Sequence, residues 1–329
     1  MRHIHVMTAL ILMAISAMTP FYAYAAPRQN DDIRFPDKGS LRTAQKDSIE
    51  VEGIPRSYLF YRPPGGGPFP VVILLHGGTQ SGRKVWKQTS LPVLAQSERF
   101  ILIAPDAADG GHWNDGRHKV VSGKPSTADD IKFLERLITV AVNRYAANPN
   151  QVFMIGASNG GLMTENFACH KAHLLAGGGY VVAALPVLQQ AQCHPDKAVP
   201  WIAVNGTEDK FFNFNGGPQN GGGSRGKSDD PIMLSAAESF EFWADNARCD
   251  SRVVETRLPN LHKRDNSTVR LDSRGDCFAN TTSSFYVIDH GGHMWPGLSS
   301  PIAEMIIGRS NMDIDSGTVI WNHFKQMVR

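Results

Sequence analysis

Apolar runs and helical repeats alternate along this chain. Six runs stand out: FPVVILLHGG (69–78), RFILIAPDA (99–107), VFMI (152–155), VVAALPV (181–187), VPWIAVNG (199–206) and SFYVIDHGG (284–292). A strand with one wet face alternates apolar and polar residues, whereas one covered on both faces reads as a solid apolar run. Between the runs lie helical patterns. After Ser126 and Thr127, apolar residues fall at Ile131, Leu134, Leu137, Ile138, Ala141 and Tyr145, with Asp129 and Asp130 in the first turn. A second helix is expected from 159 to about 171, and DSGTVIWNHFKQM (315–327) reads as a closing one. SIEVEGIPRSYLFYRP (48–63) alternates about Gly53-Ile54-Pro55 and predicts an antiparallel hairpin. Strands alternating with helices predict an α/β fold over 47–329, with a doubly wound, mostly parallel sheet and helices on both faces. Residues 26–46 are polar and aperiodic, a loosely ordered lead-in. The stretch NFNGGPQNGGGSRGKSDDP (213–231) is too rich in Gly, Asn and Ser to pack, and reads as a surface excursion near the sheet's C-terminal edge.

Composition adds three constraints. At 329 residues, 42% hydrophobic and 19% charged, the chain is long enough for one large core. A net charge of +2 without a Lys/Arg run argues against a nucleic-acid partner. The N-terminus sets Arg2 and His3 before an apolar stretch from Val6 to Met18, followed by Tyr22-Ala23-Tyr24-Ala25-Ala26-Pro27. That is the pattern of a secretory signal, residues 1–25, cleaved after Ala25; an uncleaved N-terminal anchor is the competing reading. No other stretch is long enough to span a bilayer, so the mature protein is expected in the periplasm or outside the cell. Four cysteines in an exported chain read as two disulfides. Of three possible pairings, Cys169 with Cys193 and Cys249 with Cys277 close the shorter loops. Zinc ligation finds no CxxC or tight Cys/His cluster.

The chemistry centres on Gly156-Ala157-Ser158-Asn159-Gly160, between an apolar strand and a helix. A G-x-S-x-G match is weak alone, and 222–226 also matches, but without a strand before it. In the first context the small neighbours fit a nucleophile on a tight strand-to-helix turn, with the helix dipole aimed at the serine; an ordinary glycine-rich turn is the alternative. A nucleophile elbow requires an acid and then a histidine, each after a later strand. The run at 199–206 leads into Thr207-Glu208-Asp209, and the run at 284–292 into His293-Met294-Trp295. Asp209 is preferred to its neighbour Glu208, and His293 to His290, because Gly291 and Gly292 free the backbone to present it. The histidine would take the serine proton and the acid would hold its tautomer. Backbone N–H groups of Asn159 and of Gly78 or Thr79 would face the developing oxyanion. His290 and His293 as an HxxH metal pair lack a following glutamate and a third ligand; neither metal nor cofactor is expected.

LLHGG, WNDGR (113–117), GASNGG, NGTED and GGHMWPG occur here in the order and spacing of secreted esterases related to polyhydroxybutyrate depolymerases and feruloyl esterases. The resemblance runs from about residue 50 to the C-terminus. It implies an α/β-hydrolase fold, a Ser158–Asp209–His293 triad, and Trp113 and Trp295 lining the acyl or polymer cleft. It implies as substrate an ester, polymeric or oligomeric, such as a polyhydroxybutyrate-type polyester or an acylated plant polysaccharide. β-Diketone C–C cleavage on oxidised polymers is an alternative, and a non-catalytic binding protein on the same scaffold a more distant one. The chain departs from that family after Asp209, where Lys210-Phe211-Phe212-Asn213 and the glycine-rich excursion replace a short apolar-proline segment.

Overall fold

The computed structural model describes residues 42–108, 110–117, 126–219 and 231–328. The expected signal sequence, most of the lead-in, the second G-x-S-x-G match and the middle of the glycine-rich excursion lie outside them. In chain order the strands are β1 (Gln45–Val51), β2 (Ile54–Tyr61), β3 (Phe69–Leu75), β4 (Ile101–Pro105), β5 (Ala147–Ala157), β6 (Gly177–Val181), β7 (Trp201–Gly206), β8 (Gly217–Pro218), β9 (Ile232–Met233), β10 (Val253–Arg257), β11 (Thr268–Cys277) and β12 (Thr281–Asp289). The α-helices are α1 (Gly82–Trp86), α2 (Leu91–Glu98), α3 (Asp130–Tyr145), α4 (Asn159–Lys171), α5 (Val187–Gln190), α6 (Ala236–Asn246), α7 (Pro301–Ile307) and α8 (Ser316–Lys325).

Ten strands form one sheet in the order β1-β2-β4-β3-β5-β6-β7-β12-β11-β10. From β4 to β12 the neighbours are parallel; the two edges are antiparallel. The solid apolar runs find their reason in the two packed faces. In β3, Val71, Ile73 and Leu75 point to one core while Val72 and Leu74 point to the other. Ile101 and Ile103 of β4 likewise oppose Leu102 and Ala104. Helices α3, α4 and α6 cover the first face through Leu134, Leu137, Leu162, Phe167 and Trp243. Helices α1, α2 and α8 cover the second through Trp86, Leu91, Ile320 and Phe324.

The hairpin, α3, α4 and α8 fall where the pattern predicts. Asp129 caps α3, its carboxylate accepting from Lys132 N at 2.9 Å. One strand is misplaced by the pattern. The run at 181–187 is not a strand beyond Val181; β6 is instead Gly177-Gly178-Gly179-Tyr180-Val181. Its glycines are steric necessities. A Cβ on Gly178 would stand 2.3 Å from the Trp201 ring, and one on Gly179 2.3 Å from Ile202 O. Val182 then takes a positive φ of 49° and ends the strand. The lead-in is also shorter than expected, since β1 already begins at Gln45.

The Cys169–Cys193 disulfide ties the end of α4 to the segment after α5, and the Cys249–Cys277 disulfide ties the segment after α6 to the end of β11. Among the described residues no helix is long and apolar enough to cross a membrane.

Candidate active site

Ser158 sits between β5 and α4 with φ 54° and ψ −124°. For a side-chain-bearing residue this conformation costs about 1–3 kcal/mol and persists only when its surroundings enforce it. They do. Ser158 N donates to Val181 O at 3.0 Å, and Ser158 O accepts from Leu162 N at 3.0 Å to open α4. The flanking glycines are required by contact. A Cβ on Gly156 would lie 2.1 Å from Gly160 O, and one on Gly160 would lie 2.4 Å from His76 O. The turn is strained and tightly packed, and its crowding explains the small residues on either side of the serine.

Strands β7 and β12 are parallel neighbours, so the loops after them emerge side by side. They carry two acid–histidine pairs with very different surroundings. Glu208 Oε1 and His290 Nδ1 are 2.8 Å apart, both more than half exposed. Such a surface pair is worth about 0–1 kcal/mol. Asp209 Oδ2 and His293 Nδ1 are 2.7 Å apart, with side chains 1% and 12% exposed. Asp209 Oδ1 also accepts from the N–H groups of Phe211 (2.7 Å) and Phe212 (2.9 Å). Those two aromatic rings lie against the His293 imidazole, with centroids 4.8 and 5.7 Å away. The Lys-Phe-Phe-Asn segment after Asp209 thus forms the imidazole's seat. With Nδ1 bonded to the carboxylate, Nε2 is left as the proton acceptor. Among the described residues no hydrogen bond joins Ser158 Oγ to this imidazole.

The loop after β3 lies over the elbow. A Cβ on Gly77 would come 3.6 Å from Ser158 Cβ, and one on Gly78 would come 3.7 Å from Asn159 Cβ. The N–H of Thr79, one of the two amides expected to face the oxyanion from this loop, is committed elsewhere: it donates to Gly111 O at 2.9 Å. Gly78 and Asn159 remain. As the first residue of α4, Asn159 has no acceptor for its N–H within the helix.

The WNDGR segment is the wall of this site. Asn159 clamps it with its side chain: Oδ1 accepts from Trp113 N (2.8 Å), while Nδ2 donates to Trp113 O (3.1 Å) and Asp115 Oδ2 (2.5 Å). Asp115 in turn holds Arg117 in a buried ion pair at 2.6 Å, and Arg117 also donates to Gln219 Oε1. Asn114 N donates to Asp130 Oδ2, and Asp130 is paired with buried Arg56 at 2.6 Å. Trp113 and Trp295 do not line an open cleft as the resemblance implies. They are 1% and 5% exposed, and Trp113 spends its indole N–H on His76 O at 2.9 Å. Both are packing groups behind the site.

A cavity of about 700 Å³ opens on the far side of this wall, lined by Asn114, Arg117, Asn166, Leu188, Gln189 and Ile232 among others. Neither Ser158 nor His293 lines it. Sequence reasoning missed Asp115, whose only outward sign is its place in WNDGR, and Glu165. The latter is wholly buried in α4 and accepts from Trp243 Nε1 at 3.0 Å. Burial pushes its carboxyl up to about 8, the charge of Asp115 acting in the same sense. Among the described residues, no group of three His, Cys, Asp or Glu side chains is arranged to hold a metal ion.

No model of a known protein family matches the chain. It is 25% identical over 305 residues to NocK of Nocardia uniformis subsp. tsuyamanensis, a protein assigned as an esterase; the match covers 89% of this chain and 86% of that one. It is also 25% identical to feruloyl esterase D of Neurospora crassa, over 65% of this chain and 72% of that one. The solved acetyl xylan esterase of Aspergillus awamori superposes with a TM-score of 0.53 at 14% identity, covering 76% of this chain and 94% of its own. The fold is that of the α/β-hydrolases, and the chain is a relative of carboxylic ester hydrolases.

Proposed function

We propose that this chain is an exported serine esterase that cleaves carboxylic esters carried on a polymer or oligomer, through an acyl-enzyme on Ser158. The observation that carries the reading is the strained elbow at Ser158 together with the buried Asp209–His293 pair on the loops after β7 and β12. In this mechanism Ser158 Oγ bonds to the ester carbonyl carbon while its proton passes to His293 Nε2. The carbonyl π pair moves to oxygen, facing the amides of Gly78 and Asn159. Collapse expels the alcohol, which takes the proton from His293, and water repeats the sequence to free the acid. Asp209 keeps the proton of the neutral ring on Nδ1 and stabilises the imidazolium. The Ser158–His293 hydrogen bond forms when substrate seats the hydroxyl, as catalytic contacts often tighten only in the complex.

The likeness in sequence to a feruloyl esterase favours acylated plant polysaccharide over polyhydroxybutyrate-type polyester. The test is product release from feruloylated xylan, acetylated xylan, polyhydroxybutyrate and a short aryl ester, with Ser158→Ala as the blank. Release from the xylans, and a fluorophosphonate adduct on Ser158 absent from the variant, is the expected result. No adduct on folded mature protein would overturn the esterase reading, and release from polyhydroxybutyrate alone would overturn the choice of substrate.

A further inference from the structure

His112 has no part in the chemistry above, yet its ring is 7% exposed and neither Nδ1 nor Nε2 has a hydrogen-bond partner. Buried side-chain polar atoms are paired in the large majority of cases. A ring with two idle nitrogens therefore points to a partner that arrives with the substrate. Its place says which. A Cβ on Gly78 would come within 2.9 Å of His112 Cε1 and 3.1 Å of Nδ1, and within 3.7 Å of Asn159 Cβ. The imidazole thus borders Gly78, which itself lies against Asn159, the two residues whose amides face the oxyanion on this reading.

The ring is also held there firmly. Gly111 O accepts from Thr79 N, fastening the residue before it to the β3 loop. Trp113 N donates to Asn159 Oδ1, fastening the residue after it to the elbow. The ionised neighbours facing the ring are Arg117 and Asp115, which are paired with each other. Burial first, and the Arg117 charge second, hold the imidazole below its usual range, so it is neutral and keeps one N–H to donate. Because the Thr79 amide is committed to Gly111, the backbone alone supplies two donors, and a third position beside Gly78 is occupied by this ring.

We infer that His112 is a catalytic residue: its imidazole N–H donates a hydrogen bond to the oxyanion of the Ser158 tetrahedral intermediate, beside the amides of Gly78 and Asn159. The inference rests on the esterase reading. Its contribution belongs to the transition state, when the oxygen carries the full charge, and removing one such donor typically costs about a hundredfold or more in kcat.

The experiment compares His112→Phe, which keeps a flat ring without a donor, with His112→Gln, which restores an N–H. Steady-state kinetics on an aryl ester and inhibition by an arylboronic acid, whose Ser158 adduct carries a negative oxygen, are read on each, with circular dichroism and Tm as the check on folding. The expected result is a loss of about a hundredfold in kcat for His112→Phe, with KM within about twofold and boronate affinity falling in step, and recovery of at least tenfold in His112→Gln. Equal loss in both variants, unchanged kcat, or a change confined to KM would overturn the inference. If His112→Phe fails to fold, ¹⁵N-histidine spectra of the wild-type protein decide. Boronate should bring out a new exchange-protected imidazole N–H that is absent from His112→Gln, and no such signal would overturn it. Fluorophosphonate labelling of Ser158 in the wild type separates the two claims: without labelling the esterase reading itself fails, and with it only the role of His112 is at stake.

Discussion

Replacing Glu165 by glutamine should change how the protein's stability depends on pH. The carboxyl is fully buried in α4, with Oε1 on Trp243 Nε1 and Oε2 unpaired. It keeps its proton to about pH 8, against an ordinary value of 4.5. Between those limits the unfolded chain has released the proton and the folded chain has not. Folding therefore takes up a proton, and stability falls as pH rises through the window. At about 1.36 kcal/mol per pH unit, the loss accumulated between pH 5 and pH 9 is about 4 kcal/mol. Glu165→Gln has nearly the same shape, keeps a carbonyl for the Trp243 N–H, and cannot ionise. Any packing cost it carries is independent of pH and cancels in the comparison. Urea unfolding of both proteins, disulfides intact, at pH 5 and pH 9 should show the variant gaining about 4 kcal/mol on the wild type across the interval. A difference constant to within about 1 kcal/mol would refute the reasoning and mean that Glu165 is ionised in the folded state. The helix concerned starts at the proposed nucleophile, Ser158, so the same variant should also hold activity further into the alkaline range.

Two further expectations follow from the acid–histidine pairs and the disulfides. Asp209→Asn should lower kcat by a factor on the order of 10⁴ with the fold intact, whereas Glu208→Gln should stay within about twofold; comparable losses in both would mean that the exposed pair takes part in turnover. Removing either disulfide by paired Cys→Ala replacement should cost about 3.5 kcal/mol, the loop-closure value for loops of 24 and 28 residues, and a chemical-denaturation loss below about 1 kcal/mol for both would contradict it.

The central sheet was legible because its strands are buried on both faces and so carry no polar interruptions. Strand β6 was hidden for the opposite reason: its three glycines read as a turn, and only the positions of Trp201 and Ile202 reveal why nothing larger fits. Strand β10 was missed because all five of its residues are exposed at the sheet's edge, leaving no periodic trace. At the candidate site, the tight turn at Ser158 and the meeting of Asp209 with His293 were legible in motif order. The engagement of Thr79 N–H by Gly111, the burial of Trp113 and Trp295, and the roles of Asp115 and Glu165 were not. Each depends on contacts between segments 30 to nearly 80 residues apart, as in Thr79 with Gly111 and Glu165 with Trp243, and no local pattern encodes those.

The Asn159 clamp has a consequence for how such a protein can evolve. On the proposed mechanism one residue gives its main chain to the reaction centre while its side chain holds the wall, so the two cannot drift apart. Asp115, Arg117 and Gln219 carry that lock outward through the wall. Leu188 and Ile232, at 70% and 57% exposure, carry none of it. Mutation at the outer rim can therefore proceed while the inner geometry is inherited unchanged, and a mutational screen should find its tolerated changes there rather than along the lock.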